Sequence, residues 1–420
     1  MKEVFKRIIT DFIEKEINNV KKRDINIPLD TDKIITLVGI RRSGKTFILF
    51  DLINTLRNKI KRDRIVYINF EDDRLYGLKL ENLDELIQAY FELFPDNRSE
   101  KLYFFFDEIQ EIENWDKFIR RIYDELNVNI FITGSSSKLL SKEIASSLRG
   151  RSISFEVFPL SFKEYLDFKE IEVNLYSSNS LAHIINSLEE YLNFGGFPEI
   201  LNQEEFIKRE ILQSYVDLIV YRDLIERYKL KNLTLLKTMI KYLFSNPATL
   251  FSFTKFYNLL KSQGFRLSKE TLMEYYSYLE DVYAVFGVKI YRKSIKEQMR
   301  NPLKNYIVDN GFYYINTVEK EYSKLYENAV FLHLRRKKRE IFYYKIKQEC
   351  DFYDGENLYN VSYDIKDENT LKREINSLLE AMSYFNKDVS YLITKDEEKT
   401  IEIDGKKIII KPLYKWLLDG

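Results

Sequence analysis

The chain has one cysteine, Cys350, and two histidines, His183 and His333. A lone cysteine cannot form an intramolecular disulfide, which fits a reducing, cytoplasmic setting. The histidines lie too far apart in sequence, and without a cysteine pair, for a zinc site. Net charge is missing too: 66 Lys+Arg offset 66 Asp+Glu. No global field draws the chain to nucleic acid or an anionic membrane, so such binding must rest on a local patch. No window reaches about eighteen unbroken apolar residues, so no membrane span is expected. The opening MKEVFKRIITDFIEKEI is amphipathic and laced with acids, unlike a signal peptide. No internal repeat or low-complexity linker occurs.

What is present is enough for two or three domains in 420 residues, 45% hydrophobic and 31% charged, as in a globular protein. DKIITLVGI, RIVYINFED, KLYFFFDEIQ and VNIFITGSSS are apolar, β-branched or aromatic runs of strand length. Helical spacing separates them in TFILFDLINTLRNKI, LDELIQAYFELF and WDKFIRRIYDEL. This alternation predicts a parallel sheet with helices on both faces. After about Leu160 it fades into helices around a Gly-Gly turn, FGGFPEI. From Thr234 to Ile290 three helices precede the strand VYAVFGVKI, the order of a winged helix-turn-helix. The tail mixes strands, among them NYIVDNGFYYI and ENLYNVSYDI, with two helices.

The segment from Gly39 to Thr46, GIRRSGKT, matches the phosphate-binding pattern G-x-x-x-x-G-K-[ST]. Backbone N–H groups must wrap phosphate oxygens, so Gly39 and Gly44 exclude a Cβ, with Ser43 between them. Lys45 is expected at the β- and γ-phosphates, Thr46 on Mg²⁺, and Phe47 on the first turn of the following helix. Arg41 and Arg42 fill the variable part of the loop and are expected to point away from phosphate, toward the ribose of the nucleotide, a neighbouring subunit or the lid domain. Asp107 closes an apolar strand and is expected to hold Mg²⁺; Glu108 beside it is the base for water. Thr133 and Ser135, in ITGSSS, either contact the γ-phosphate or belong to an ordinary Gly-Ser loop. Arg149 and Arg151 are candidates for a guanidinium on the transferring phosphate, or for plain salt bridges. Glu71 is placed to orient Arg41, Arg42 or Glu108.

These stretches, with YRDLIERY, YIVDNGF, YENAVFLHLRRKK and NTLKREINSLLEAM, resemble a family of prokaryotic, largely archaeal, AAA+ ATPases with a C-terminal domain catalogued as DUF4143. The resemblance spans nearly the whole chain. It implies ATP and Mg²⁺ as cofactors and a C-terminal domain similar to restriction-endonuclease folds. The family's metal positions fall on Glu327 and Asp351. The following strand usually supplies an acid and a lysine, but here it reads Asn360-Val361-Ser362. A rival register offers Asp364-Ile365-Lys366, with Asn360, Ser362, Asp364 and Lys366 on one polar face. The departure favours a degenerate or structural domain over a nuclease.

Nucleic-acid binding has weak support. The helix Ser268–Asp281 is expected to bury Leu272, Met273, Tyr276 and Leu279, leaving Lys269, Glu270, Glu274, Ser277, Tyr278 and Glu280 outside. That face is acidic, so a protein-interaction or lid role fits better than DNA reading. The best basic run is Arg335, Arg336, Lys337, Lys338 and Arg339.

The expected organisation is an ATPase domain over 1–160, a helical lid-like region over 161–232, a winged-helix-like region over 233–290 and an endonuclease-like α/β domain over 291–420. The fold class is α/β: a P-loop NTPase parallel sheet, then helical and winged-helix parts, then a second α/β domain. The expected activity is Mg²⁺-dependent ATP hydrolysis, or a nucleotide-gated switch with slow turnover. Expected partners are ATP, further copies of the chain and a protein; DNA is weakly supported, and no membrane partner is expected.

Overall fold

Four short strands, largely apolar, cannot leave either face in water, and with a more polar fifth at the edge they form one parallel sheet. They are β1 (Ile34–Val38), β2 (Ile65–Asn69), β3 (Leu102–Asp107), β4 (Val128–Gly134) and β5 (Ser152–Glu156), in the order β2-β3-β4-β1-β5. The computed structural model describes residues 1–134, 148–337 and 340–419. Its chain divides into two compact units, Met1–Val157 and Phe158–Gly420.

In the first unit, α1 (Lys2–Glu14), α2 (Lys45–Arg57), α3 (Leu83–Leu93) and α4 (Trp115–Glu125) connect or flank the strands. Aromatic rings knit the core: Phe105 stacks on Phe131 across β3 and β4 at 4.6 Å, and Phe12 of α1 stacks on Tyr67 of β2 at 4.6 Å. All four sheet segments that alternation predicted are strands, and their carboxyl ends share one edge because the sheet is parallel.

The second unit contains a mixed nine-stranded sheet. Strands β6 (Thr249–Phe251), β7 (Val285–Ile290) and β8 (Leu303–Ile307) continue through β9 (Phe342–Lys345) into β10 (Glu349–Tyr353), β11 (Leu358–Val361), β12 (Val389–Thr394), β13 (Lys399–Ile403) and β14 (Lys406–Pro412). The three expected helices of the 233–290 region are present, at Leu233–Ser245, Phe253–Ser262 and Lys269–Asp281.

Three local readings are corrected. Met273 is 51% exposed, and Tyr275 takes its place in the buried stripe with Leu272, Tyr276 and Leu279. Glu280, expected outside, turns inward to accept the Gly287 N–H at 2.9 Å, and burial pushes its carboxyl up to about 7. NYIVDNGFYYI is a strand only to Ile307; Asn310–Asn316 is a helix, because Asp309 caps it by accepting the Gly311 N–H at 2.8 Å.

The same carboxylate explains the Gly-Gly turn. Asp309 is buried and also accepts the Gly196 N–H at 2.7 Å. Gly195 has φ 85°, and a Cβ there would sit 1.6 Å from Asp309 Oδ1. FGGFPEI and YIVDNGF are thus two halves of one interlock. Gly195→Ala is expected to cost about 3 kcal/mol, through left-handed strain and a clash with a buried carboxylate. A urea unfolding midpoint equal to wild type would contradict the interlock.

Candidate nucleotide and metal site

The sharp turn out of β1 demands backbone that only glycine supplies. Gly39 has φ 150°, and a Cβ there would meet the Val157 carbonyl oxygen at 2.1 Å. Gly44 has φ 96° and caps the start of α2, whose first residues are Lys45 and Thr46. The loop therefore bends back on itself and aims the amino end of α2, with its positive dipole, at the space above β1. Ser43 is buried, and its hydroxyl finds no partner among the described residues. Arg42 is held at φ 65°. Arg23, from the segment before β1, donates to the Ser43 carbonyl at 2.7 Å and tethers the loop from outside.

Lys45 is buried and folds onto its own loop, donating to the Gly39 carbonyl at 2.9 Å and the Ile40 carbonyl at 3.0 Å. Thr46 donates its hydroxyl to Asp107 Oδ2 at 2.8 Å. This contact joins the phosphate-type loop to the end of β3, although β4 lies between β1 and β3. Tyr67, in the middle of the neighbouring β2, donates to the same oxygen at 2.8 Å. Thr133, near the end of β4, donates to Asp107 Oδ1 and accepts the Glu108 N–H at 3.0 Å. One carboxylate thus gathers hydroxyls from α2, β2 and β4. Threonine hydroxyl and carboxylate oxygens are the hard donors that Mg²⁺ takes, so the residues fit that ion.

Glu108 sits at φ 51°, in the left-handed region that non-glycine residues rarely occupy. The kink ends β3, and the Glu108 carboxylate accepts a hydrogen bond from the Gln110 side-chain amide. Strain of this kind persists where the surrounding structure over-determines it, a pattern concentrated at working sites. A cavity of about 420 Å³ lies beside Thr46 and Tyr67, walled by Phe12, Phe50, Asn69 and Arg74.

The remaining expected residues divide. Arg41 pairs with Glu71 at 3.0 Å, outside the cradle. Phe47 is 55% exposed and packs edge-on to Phe50. Arg149 and Arg151 are not brought to the cradle. The Arg151 carbonyl accepts the Ile34 N–H at the entry end of β1, the opposite end from Gly39. Its guanidinium pairs with Asp124 at 3.2 Å. Ser135 lies outside the described residues. Tyr67 and Arg23 were missed from sequence; no motif marks a strand tyrosine or a loop arginine that bonds a backbone carbonyl.

In the second unit, Glu327 and Asp351 do come together, but around the ammonium of Lys304. The rival Asp364–Lys366 register is corrected: β11 ends at Val361, and Asp364 accepts the Lys366 N–H at 2.8 Å in a tight turn. Part of the basic run is used internally. Arg336 donates to the Pro159 carbonyl at 3.0 Å, and Arg335 lies over the Phe286 ring. Lys338 and Arg339 fall outside the described residues.

Burial, then the Glu108 charge, push the Asp107 carboxyl above its ordinary range, outweighing the three hydroxyls that favour the anion. A carboxyl raised on folding takes up a proton, so its ionisation costs stability as pH climbs above about 4. Asp107→Asn removes that cost. The ligand-free variant should be more stable than wild type at pH 7, with the gain shrinking toward pH 4. A thermal midpoint below wild type at pH 7 would contradict this.

Residues 31–166 match a family model described as an AAA domain. Residues 185–320 match one described as a domain of unknown function, DUF8612, where the sequence resemblance had pointed to DUF4143. The uncharacterized protein MJ1544 of Methanocaldococcus jannaschii is 40% identical over 99% of this chain and 96% of its own length. An uncharacterized protein of Haemophilus influenzae is 34% identical over 93% and 95%. Among solved structures, the Walker-type ATPase PABY2304 of Pyrococcus abyssi is 16% identical, covering 68% of this chain and 91% of that one, with a TM-score of 0.42.

Proposed function

This chain belongs to the family that includes MJ1544 and the Haemophilus influenzae protein, and from that premise we propose that its first unit binds ATP with Mg²⁺ and hydrolyses it. The observation that carries the reading is the Thr46–Asp107 hydrogen bond at 2.8 Å, which sets a phosphate-type loop and a buried carboxylate on one crevice. The crevice lies at the carboxyl edge of a parallel sheet, where such folds take ligands. The AAA-domain match over residues 31–166 agrees with it.

In this reading the N–H groups of the Gly39–Thr46 loop cradle phosphate oxygens. Lys45 leaves the Gly39 and Ile40 carbonyls for the β- and γ-phosphates. Thr46 and Asp107 hold Mg²⁺, which when bound neutralises charge on the transferring phosphoryl group. Tyr67 and Thr133 fix the rotamer of Asp107. Glu108 accepts a proton from the attacking water. Arg149 and Arg151 reach a phosphate only if a second copy of the chain presents them.

A second reading, a nucleotide-gated switch with slow turnover, draws on a separate observation. The Glu108 carboxylate is already occupied by the Gln110 amide. That bond must open before Glu108 can serve water, so a partner that draws Gln110 away would start turnover. The acidic face of Lys269–Asp281 in the second unit suits a protein partner better than DNA.

Lys45→Ala should weaken ATP binding by at least about 100-fold in calorimetry. Glu108→Gln should bind ATP as wild type does while turnover falls about 10²–10³-fold. Equal turnover in the glutamine variant would remove Glu108 from the mechanism. Gln110→Ala should raise the basal rate if the switch reading holds; an unchanged rate supports plain steady hydrolysis.

A further inference from the structure

Lys304 is 2% exposed, yet it carries an ammonium. It lies on β8, and Tyr306 two residues on shares its face of the strand. Its Nζ meets Glu327 Oε1 at 2.7 Å, Asp351 Oδ1 at 2.8 Å and Glu349 Oε1 at 2.9 Å. An ammonium has three N–H donors, and here three carboxylates take them, so its hydrogen-bonding capacity is filled.

The carboxylates are fixed independently. Glu327 Oε1 also accepts the Tyr306 hydroxyl at 2.6 Å. Asp351 Oδ2 accepts the Val361 N–H at 2.9 Å, tying β10 to β11. Asn360 accepts the Asp351 N–H at 3.2 Å and donates to Glu374 at 2.7 Å. A helix and two strands therefore hold a ring of acids whose centre is one cation.

We infer that the ammonium of Lys304 takes the place of the divalent cation in an endonuclease-like acidic site, so that the second unit is a metal-independent, non-cleaving domain. A metal-dependent nuclease needs Glu327 and Asp351 to hold a cation that keeps open positions for water and phosphate. Here the same oxygens are taken by a group with no open position. The strand that would supply an acid and a lysine offers Asn360 and Ser362 instead. Burial alone would discharge Lys304, but the facing Asp351, Glu327 and Glu349 hold its proton on far more strongly than usual. The cluster is thus a closed unit: remove its internal cation and the acids need another.

The inference is independent of the nucleotide reading, and its test is run without nucleotide in an Asp107→Asn background, so that metal at the first unit does not contribute. In that background Mn²⁺ should leave the melting temperature unchanged. Adding Lys304→Ala should lower it by about 10 °C, as expected when a buried ion pair loses one partner. Millimolar Mn²⁺ should recover most of that loss, and Asp351→Asn should abolish the recovery. Lys304→Arg should behave as the background, insensitive to metal. A folded Lys304→Ala protein that no divalent ion restabilises would overturn the inference. If Lys304→Ala does not fold, the test passes to Mn²⁺ binding by electron paramagnetic resonance in the background with and without Asp351→Asn. Binding that depends on Asp351, or Asp351-dependent cleavage of DNA in Mn²⁺, would overturn it; its absence would sustain it.

Discussion

Everything at the candidate site depends on one buried carboxylate being reached by a hydroxyl from another element. Asp107 ends β3, Thr46 begins α2, and a 2.8 Å hydrogen bond spans the intervening strand. That contact requires the parallel sheet, because only there do the ends of β1, β3 and β4 face the same way. It requires the glycines, because a Cβ at Gly39 would strike the Val157 carbonyl and push the loop out of register. The hydroxyls of Tyr67 and Thr133 then leave Asp107 little freedom. A carboxylate held against its own burial in this way fits the proposed role of cation ligand.

The second unit handles buried charge differently. Lys304 is surrounded by its own counter-charges, and Asp309 is satisfied by the backbone of Gly196 and Gly311. Both join segments distant in sequence, which explains why the chain tolerates ionisable side chains inside an aromatic-rich core. In the proposed reading charge in the first unit meets a ligand, whereas charge in the second holds the fold.

Four of the five strands of the first unit were readable because they are largely apolar runs and the helices between them have their own period; β5, with two serines and a glutamate in five residues, carries no such run and was not expected. The loop was readable because phosphate binding imposes fixed glycine, lysine and threonine spacing. Tyr67 was not, because its hydroxyl reaches Asp107 from a neighbouring strand, a pairing that sequence does not encode. Lys304 was missed for the same reason: four residues from three elements meet in space with no common spacing. Met273 and Tyr275 exchange roles because Leu272, Tyr275, Tyr276 and Leu279 recur at i, i+3, i+4 and i+7 on one helix face, and Met273 lies off that face. Asp309 shows the opposite case, where a local cap converts an apolar run of strand character into a helix.

The central claim is that the Gly39–Phe47 loop and the end of β3 hold one MgATP between them. Hydrogen–deuterium exchange of the intact protein with and without MgATP tests it directly. The account predicts slowed exchange at the amides of Ser43, Gly44, Lys45 and Thr46, and at Glu108, whose N–H bonds Thr133. Protection elsewhere in the chain with these amides unchanged would contradict it.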